Sequence, residues 1–259
     1  MTTLIAVSCA GNAGSFKTDV FSFADTTAYC CTSLSVELPS GQSAAESAIR
    51  DSLISFLDTE ARFGEPGKIT GVTRPEISDM SGMQACVDLY GRRVADELNK
   101  AADEEESFYP WEFQTGLSMS RLTGKYVVFN CTGYQYLGGA HGGITGSGPH
   151  TFSLKTGAMI RQFIEDSALT DLQGEFRKGL LRYFKECGEE LTEDQLSEQL
   201  FIEDGIIPFP ACQPEPTEEG LVFTYKQYEI APYATGMPSF CLPYKVVKPY
   251  LTAEAKEIL

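Results

Sequence analysis

Phe113-Gln114-Thr115-Gly116-Leu117-Ser118-Met119-Ser120-Arg121-Leu122 and Lys125-Tyr126-Val127-Val128-Phe129-Asn130-Cys131-Thr132-Gly133-Tyr134-Gln135-Tyr136-Leu137 flank the pair Thr123-Gly124. Aromatic and β-branched residues of this density favour strands. Two such runs separated by a short Gly-containing break signal a hairpin, so residues 113–122 and 125–137 are expected to pair antiparallel. In the second run Val127, Phe129 and Cys131 point to one side by period two. Tyr126, Val128, Asn130, Thr132, Tyr134 and Tyr136 point to the other. The first set reads as core. The second mixes apolar and polar groups, which suits either a second packed layer or a ligand.

Working upstream, Leu34, Val36 and Leu38 alternate with Ser33, Ser35 and Glu37, the pattern of a half-buried strand ending at Pro39-Ser40-Gly41. Ser43 and Glu46 form a capping box. Ile49, Leu53, Phe56 and Leu57 then share one face of a helix. Residues 64–82 read as a loop. Residues 83–102 form a second amphipathic helix with Cys86, Leu89, Tyr90, Val94 and Leu98 inward. The acidic run Asp103 to Glu106 opposes the dipole at its C-terminus, so fraying is expected there.

Downstream lies Tyr136-Leu137-Gly138-Gly139-Ala140-His141-Gly142-Gly143, continuing through Ile144-Thr145-Gly146-Ser147-Gly148-Pro149-His150. Its glycines permit positive φ and close backbone approach. It lacks the Gly-Lys-Ser/Thr ending of a phosphate-binding loop, and no helix opens after it, which excludes a dinucleotide fingerprint. Residues 151–154 and 158–161 form a further hairpin around Lys155-Thr156-Gly157. Residues 171–187 are helical, with Phe176, Leu180, Tyr183 and Phe184 inward. Thr192 and Gln195 form a second capping box. Residues 202–220 are loop-like around a short strand at 206–211. Leu221–Ile230 is a strand, Ala231 to Gly236 a turn and Phe240–Leu242 a short strand. A helical region ends the chain, with Thr252 as a cap. The expected fold is α+β, with two lobes, each an antiparallel sheet with helices packed on one face.

Over its 259 residues the chain carries 36 acidic and 20 basic side chains, a formal net charge of −16. Residues 1–150 and 151–259 each hold 18 acidic and 10 basic groups, so the charge is evenly spread. Nucleic-acid affinity comes largely from Lys and Arg neutralising phosphates, so nucleic acid is excluded as a partner, and attraction to anionic lipid is disfavoured. A cationic partner is allowed. Apolar residues at 42% supply a sizeable core. No run reaches the ~20 apolar residues of a membrane span. Eight cysteines without a CxxC, and only His141 and His150, give no metal-site spacing; no metal or cofactor is expected. The cysteines read as buried thiols or as disulfides of an oxidising compartment.

The segment Leu4-Ile5-Ala6-Val7-Ser8-Cys9 is an apolar stretch leading through a small residue to a cysteine. It resembles the end of a bacterial lipoprotein signal peptide, with Cys9 as the lipidated residue, although the basic n-region is missing and the apolar stretch falls short of ~7–15 residues. An ordinary first strand is the alternative. On the lipoprotein reading the chain would sit outside the cytoplasm, touching membrane only through its anchor. Residues 1–27 would be signal remnant and tether, with Phe16, Phe21 and Phe23 as first contacts.

Three motifs occur in order: Gly138-Gly139-Ala140-His141-Gly142, Thr151-Phe152-Ser153-Leu154-Lys155-Thr156-Gly157, and Tyr228-Glu229-Ile230-Ala231-Pro232-Tyr233-Ala234-Thr235-Gly236. This set resembles a family of bacterial extracytoplasmic domains of unknown function, which forms the C-terminal half of the ectodomain of a lysozyme-sensing anti-sigma factor. Residues 28–137 resemble the domain that often precedes it, found at the N-terminus of a peptidoglycan deacetylase. The resemblance implies domains at 28–137 and 138–259. It implies no catalytic residues, because the deacetylase chemistry belongs to a separate metal-binding domain whose motifs do not occur here. A membrane helix and sigma-binding segment do not occur either.

These readings converge on a non-catalytic cell-envelope binding module for cell-wall glycan or a cationic protein such as lysozyme. Tyr rings stack on sugars and supply rigid interface area; the candidates are Tyr134, Tyr136, Tyr228 and Tyr233, together with His141 among its glycines. Each has a structural alternative, the tyrosines in the core and His141 as a tie for its loop. The competing reading is an envelope hydrolase acting on glycan or ester. There His141 would be the base and Ser147, Cys131 or Glu229 its partner, although no Gly-x-Ser-x-Gly motif is present. A purely structural lipoprotein is the third possibility.

Overall fold

The computed structural model describes residues 16–60, 75, 77, 79–105, 109–139 and 141–259. Cys9 and most of the 64–82 loop lie outside them. The fold is α+β. A five-stranded sheet of spatial order β1-β2-β3-β4-β5 is built from Thr18–Thr26, Cys30–Pro39, Trp111–Leu122, Tyr126–Tyr136 and Gly143–Ser153. A second, three-stranded sheet contains β6 Glu215–Pro216, β7 Gly220–Thr224 and β8 Ser239–Pro243.

Helices α1 (Ala44–Glu60) and α2 (Met80–Glu104) cover one face of the large sheet. The Ser43–Glu46 box forms, with the Glu46 amide donating to Ser43 Oγ at 3.2 Å and the Ser43 amide to the Glu46 carboxylate at 3.2 Å. The Asp79 side chain caps α2 by accepting from the Gly82 amide at 2.9 Å. From the helices Ile49, Leu53, Leu57, Cys86, Tyr90, Val94 and Leu98 meet Leu34, Val36, Phe113, Leu117, Val127 and Phe129 from the strands in one hydrophobic cluster. The expected hairpin is present as β3–β4, and all three residues of the expected inner face of β4 (Val127, Phe129, Cys131) lie in this cluster.

The second cluster gathers around Phe176, Phe223 and Phe240 from α3 (Leu169–Glu186), β7 and β8. The short helices α4 (Glu193–Gln199), α5 (Tyr244–Val247) and α6 (Ala253–Ile258) close it. Thr192 caps α4 in the expected box and Thr252 caps α6. Tyr126 and Val128, from the other face of β4, belong to this second cluster. The mixed face of β4 therefore meets a second packed layer at one end, and one strand serves both cores.

Several expectations are corrected. Residues 18–26 are not tether: they form edge strand β1, in which Phe21 and Phe23 turn toward the helices opposite Val36 and Leu34. The break expected at 137/138 falls inside the large sheet, because the glycine-rich stretch continues as β5 and pairs with β4 through Ser153. Gly146 and Gly148, at φ +109° and +79°, let the strand bend there. The large sheet is not wholly antiparallel either: β2 and β3 run parallel, joined by the long crossover that holds α1 and α2, as parallel neighbours require. The strand expected at 221–230 stops at Thr224, and 206–211 has no strand.

Candidate functional site

The turn after β7 is shaped by one carboxylate. Glu229 Oε2 accepts from the Lys226 amide at 2.7 Å, and Oε1 from the Ala211 amide at 2.6 Å. Between those anchors Tyr228 sits at φ +64°. A bulky residue in the left-handed region costs roughly 1–2 kcal/mol and persists only where the surroundings hold it there. The Tyr228 ring is nevertheless 58% exposed, so burial does not compensate for the strain. Its centroid lies 5.6 Å from that of Tyr233.

Tyr233 opens a single 3-10 turn, Tyr233–Thr235, pinned from beneath by the Tyr183 hydroxyl, which donates to Thr235 O at 2.7 Å. The Tyr233 ring stacks on His141 with centroids 3.9 Å apart and planes 20° from parallel. Its hydroxyl donates to Gly142 O at 3.1 Å. His141 Nδ1 lies 3.1 Å from the same carbonyl. A Cβ on Gly142 would fall 2.3 Å from the Tyr134 hydroxyl oxygen, so glycine lets the loop rest against that ring without displacing it. The Ile144 amide donates to Gln227 Oε1 at 3.1 Å. An aromatic rim thus runs from Tyr134 on the large sheet, across His141, to Tyr233 and Tyr228 on the second lobe.

Four of the five sequence-predicted candidates meet in this rim. Tyr136 stands apart, paired with Glu112 at the far end of β4. The partners proposed for a His141 base are engaged elsewhere. Ser147 Oγ lies 2.6 Å from His150 Nε2, Glu229 is held by the two backbone amides, and Cys131 is buried in the first core. Burial holds the His150 imidazole down at about 4, and the charge of Lys226 pushes it the same way. Its ring stacks on Phe56 of α1 at 4.1 Å. At neutral pH the ring is therefore uncharged, and its hydrogen bond with Ser147 together with its stack on Phe56 fastens the bent edge strand to the helix layer.

Sequence reading missed Gln227 and the Ser147–His150 pair. For Gln227 no signal exists, since its bond crosses 83 residues. The pair is i, i+3 within a strand, a contact that only the bend at two positive-φ glycines creates. Among the described residues no group of three or more His, Cys, Asp or Glu is placed to hold a metal. No helix among them is long and apolar enough to cross a membrane.

Residues 176–245 match the model of a family described as a protein of unknown function (DUF3298). This segment carries Gln227, Tyr228, Glu229 and Tyr233. A search of curated proteins finds no match. Two solved structures share the fold. One is a DUF3298 family member from Bacteroides fragilis, with a TM-score of 0.64 at 16% identity over 94% of this chain and 96% of that one. The other is a DUF3298 family protein from Pseudomonas aeruginosa PAO1, with a TM-score of 0.62 at 11% identity over 93% and 97%. This chain therefore has the α+β fold of solved DUF3298 proteins over nearly its whole length, and the matching family sequence over residues 176–245.

Proposed function

We propose that the chain is a non-catalytic binding module of the bacterial cell envelope, anchored as a lipoprotein through Cys9, whose ligand is cell-wall glycan. The observation that carries this reading is Tyr228. Its ring is exposed, its backbone is strained, and it stands beside a stacked Tyr233–His141 pair. An aromatic held at a cost without burial is a platform for something outside the fold, and aromatic faces with polar tips suit sugar rings. The anchor is supported by the sequence before Cys9, and the compartment by the resemblance of the three ordered motifs to extracytoplasmic domains.

The test is binding of a neutral N-acetylglucosamine hexamer and of insoluble peptidoglycan to the wild type, Tyr228→Ala and Tyr233→Ala. Each variant is expected to weaken binding about tenfold, the loss of one good aromatic contact of ~1.4 kcal/mol. Unchanged affinity in both would overturn the reading. A hydrolase would instead release products from these substrates, with turnover lost in His141→Ala.

The net charge favours a second reading, a cationic protein such as lysozyme as the ligand. Exposed charges are screened over ~8 Å at physiological salt. Lysozyme binding driven by charge is therefore expected to fade between low and physiological ionic strength. Salt-independent binding would contradict it.

A further inference from the structure

The outer face of the large sheet, beyond the part buried by the second lobe, is lined by two adjacent cross-strand rows. Ser22, Ser35, Gly116 and Thr132 stand in register across β1 to β4, and Ala24, Ser33, Gln114 and Tyr134 form the next row. The first row holds nothing larger than threonine and has a glycine near its middle. These rows form the floor of a shallow, open cleft of about 480 Å³. Four strands spaced ~4.8 Å apart make it ~14 Å long, with the Tyr134 ring at one end. Through Tyr134 and Gly142 it joins the aromatic rim.

Two features of the lining define its chemistry. No residue that lines the cleft is charged, in a chain with 22% charged residues. The nearest carboxylate of β2, Glu37, is occupied by the Thr18 hydroxyl at 2.5 Å and the Met119 amide at 2.7 Å. In addition, the hydroxyls of Ser22, Ser33, Ser35 and Tyr134 and the Gln114 amide have no side-chain hydrogen-bond partner among the described residues. They are donors and acceptors at the same time.

We infer that this trough is a binding site for a neutral, extended polyhydroxylated chain, seated across the strands with one ring on Tyr134, from which the chain runs on toward the rim. The chemistry excludes the alternatives in turn. An anion meets a molecule of charge −16 and finds no cation in the cleft. A cation finds no carboxylate among the lining residues; Glu112 stands one row further on, opposite Tyr136. A peptide backbone lying across the face finds no free ladder, because the N–H and C=O groups between the strands are already paired in the plane of the sheet; the open ladder of β1 is at the edge, not on the face. Sugar hydroxyls can pair with each of the free side chains. This inference rests on the glycan reading above and locates the body of the ligand, with Tyr228 and Tyr233 gripping its continuation.

The test is calorimetric titration of the N-acetylglucosamine hexamer into wild type, Ser35→Trp, Gln114→Ala and Tyr228→Ala, with each fold checked by circular dichroism. Ser35→Trp fills the trough and is expected to weaken binding more than tenfold. Gln114→Ala removes an amide and is expected to weaken it roughly three- to tenfold. If both trough variants bind like the wild type while Tyr228→Ala is weakened, the trough is wrong and the rim stands. If the wild type shows no binding at millimolar hexamer, both fall. Should Ser35→Trp fail to fold, unchanged affinity in Gln114→Ala is enough to overturn the trough.

Discussion

The two faces of the five-stranded sheet are made by the same strands under the same alternation, yet they have opposite fates. The inner face carries Val36, Phe113, Leu117, Val127 and Phe129 under two long helices. The outer face begins the same way at one end, where Tyr126 and Val128 are buried by the second lobe. Within a few residues along β4 it changes to Thr132 and Tyr134, left uncovered above a floor of serines and glycine. Alternation decides which side a residue faces. What covers that side is decided by elements far away in sequence. A stretch of that face lined by small, polar and uncharged residues is where the fold has room for a ligand.

The sharpest way to break this comparison is truncation on each side of it. Phe129→Ala should cost ~3–5 kcal/mol, the usual range for a buried Phe. Phe176→Ala, at the centre of the second cluster, should cost a similar amount. Because β4 supplies residues to both clusters, each should shift one shared unfolding transition in urea. Two separate transitions would show that the clusters fold independently.

Next in size is a pH effect at the edge of the inner face. His150 is held near 4 in the folded protein, against about 6.5 in an unfolded chain. Above 6.5 both states are neutral and nothing is lost. As pH falls from 6.5 toward 4 the unfolded chain takes up the proton first, so stability drops by roughly 2–3 kcal/mol. Urea midpoints of wild type and His150→Phe at pH 7, 5.5 and 4 check this. The variant should lose less stability over that window, and parallel pH dependences would refute the assignment.

Smaller effects belong to the outer face. Gly142→Ala drives a Cβ into the Tyr134 ring, whose far end can swing away. Stability should fall by only about 1 kcal/mol, while hexamer affinity falls several-fold because the rim is displaced. Gln114→Ala should leave stability within ~0.5 kcal/mol. A larger loss would mean that the outer face is part of the scaffold.

Local signals carried much of the fold into the sequence. The β3–β4 hairpin, the strand through Leu34 and Leu38, the amphipathic helices and both Ser/Thr capping boxes each depend on neighbours within a few residues. Edge strand β1 was obscured because Val20 and Phe21 are adjacent apolar residues that break its alternation. The glycines of β5 have the composition of a loop and adopt a strand only because β4 offers a ladder. The parallel β2–β3 pair has no local signature at all. In the rim the residue types were legible, since Tyr134, His141, Tyr228 and Tyr233 stood out by character and context. Their meeting was not, because it joins β4 to a turn about 90 residues later. Gly142 was the missing hint, a glycine packed against a ring.

The central claim is that the uncovered outer face and the aromatic rim form one ligand site. Its most direct test is an amide chemical-shift titration of the isotope-labelled wild type with the neutral N-acetylglucosamine hexamer. A single contiguous set of saturating shifts is expected, running from Ser35, Gln114 and Thr132 through Gly142 to Tyr228 and Tyr233. Shifts confined to other surfaces, or none at millimolar hexamer, would contradict it.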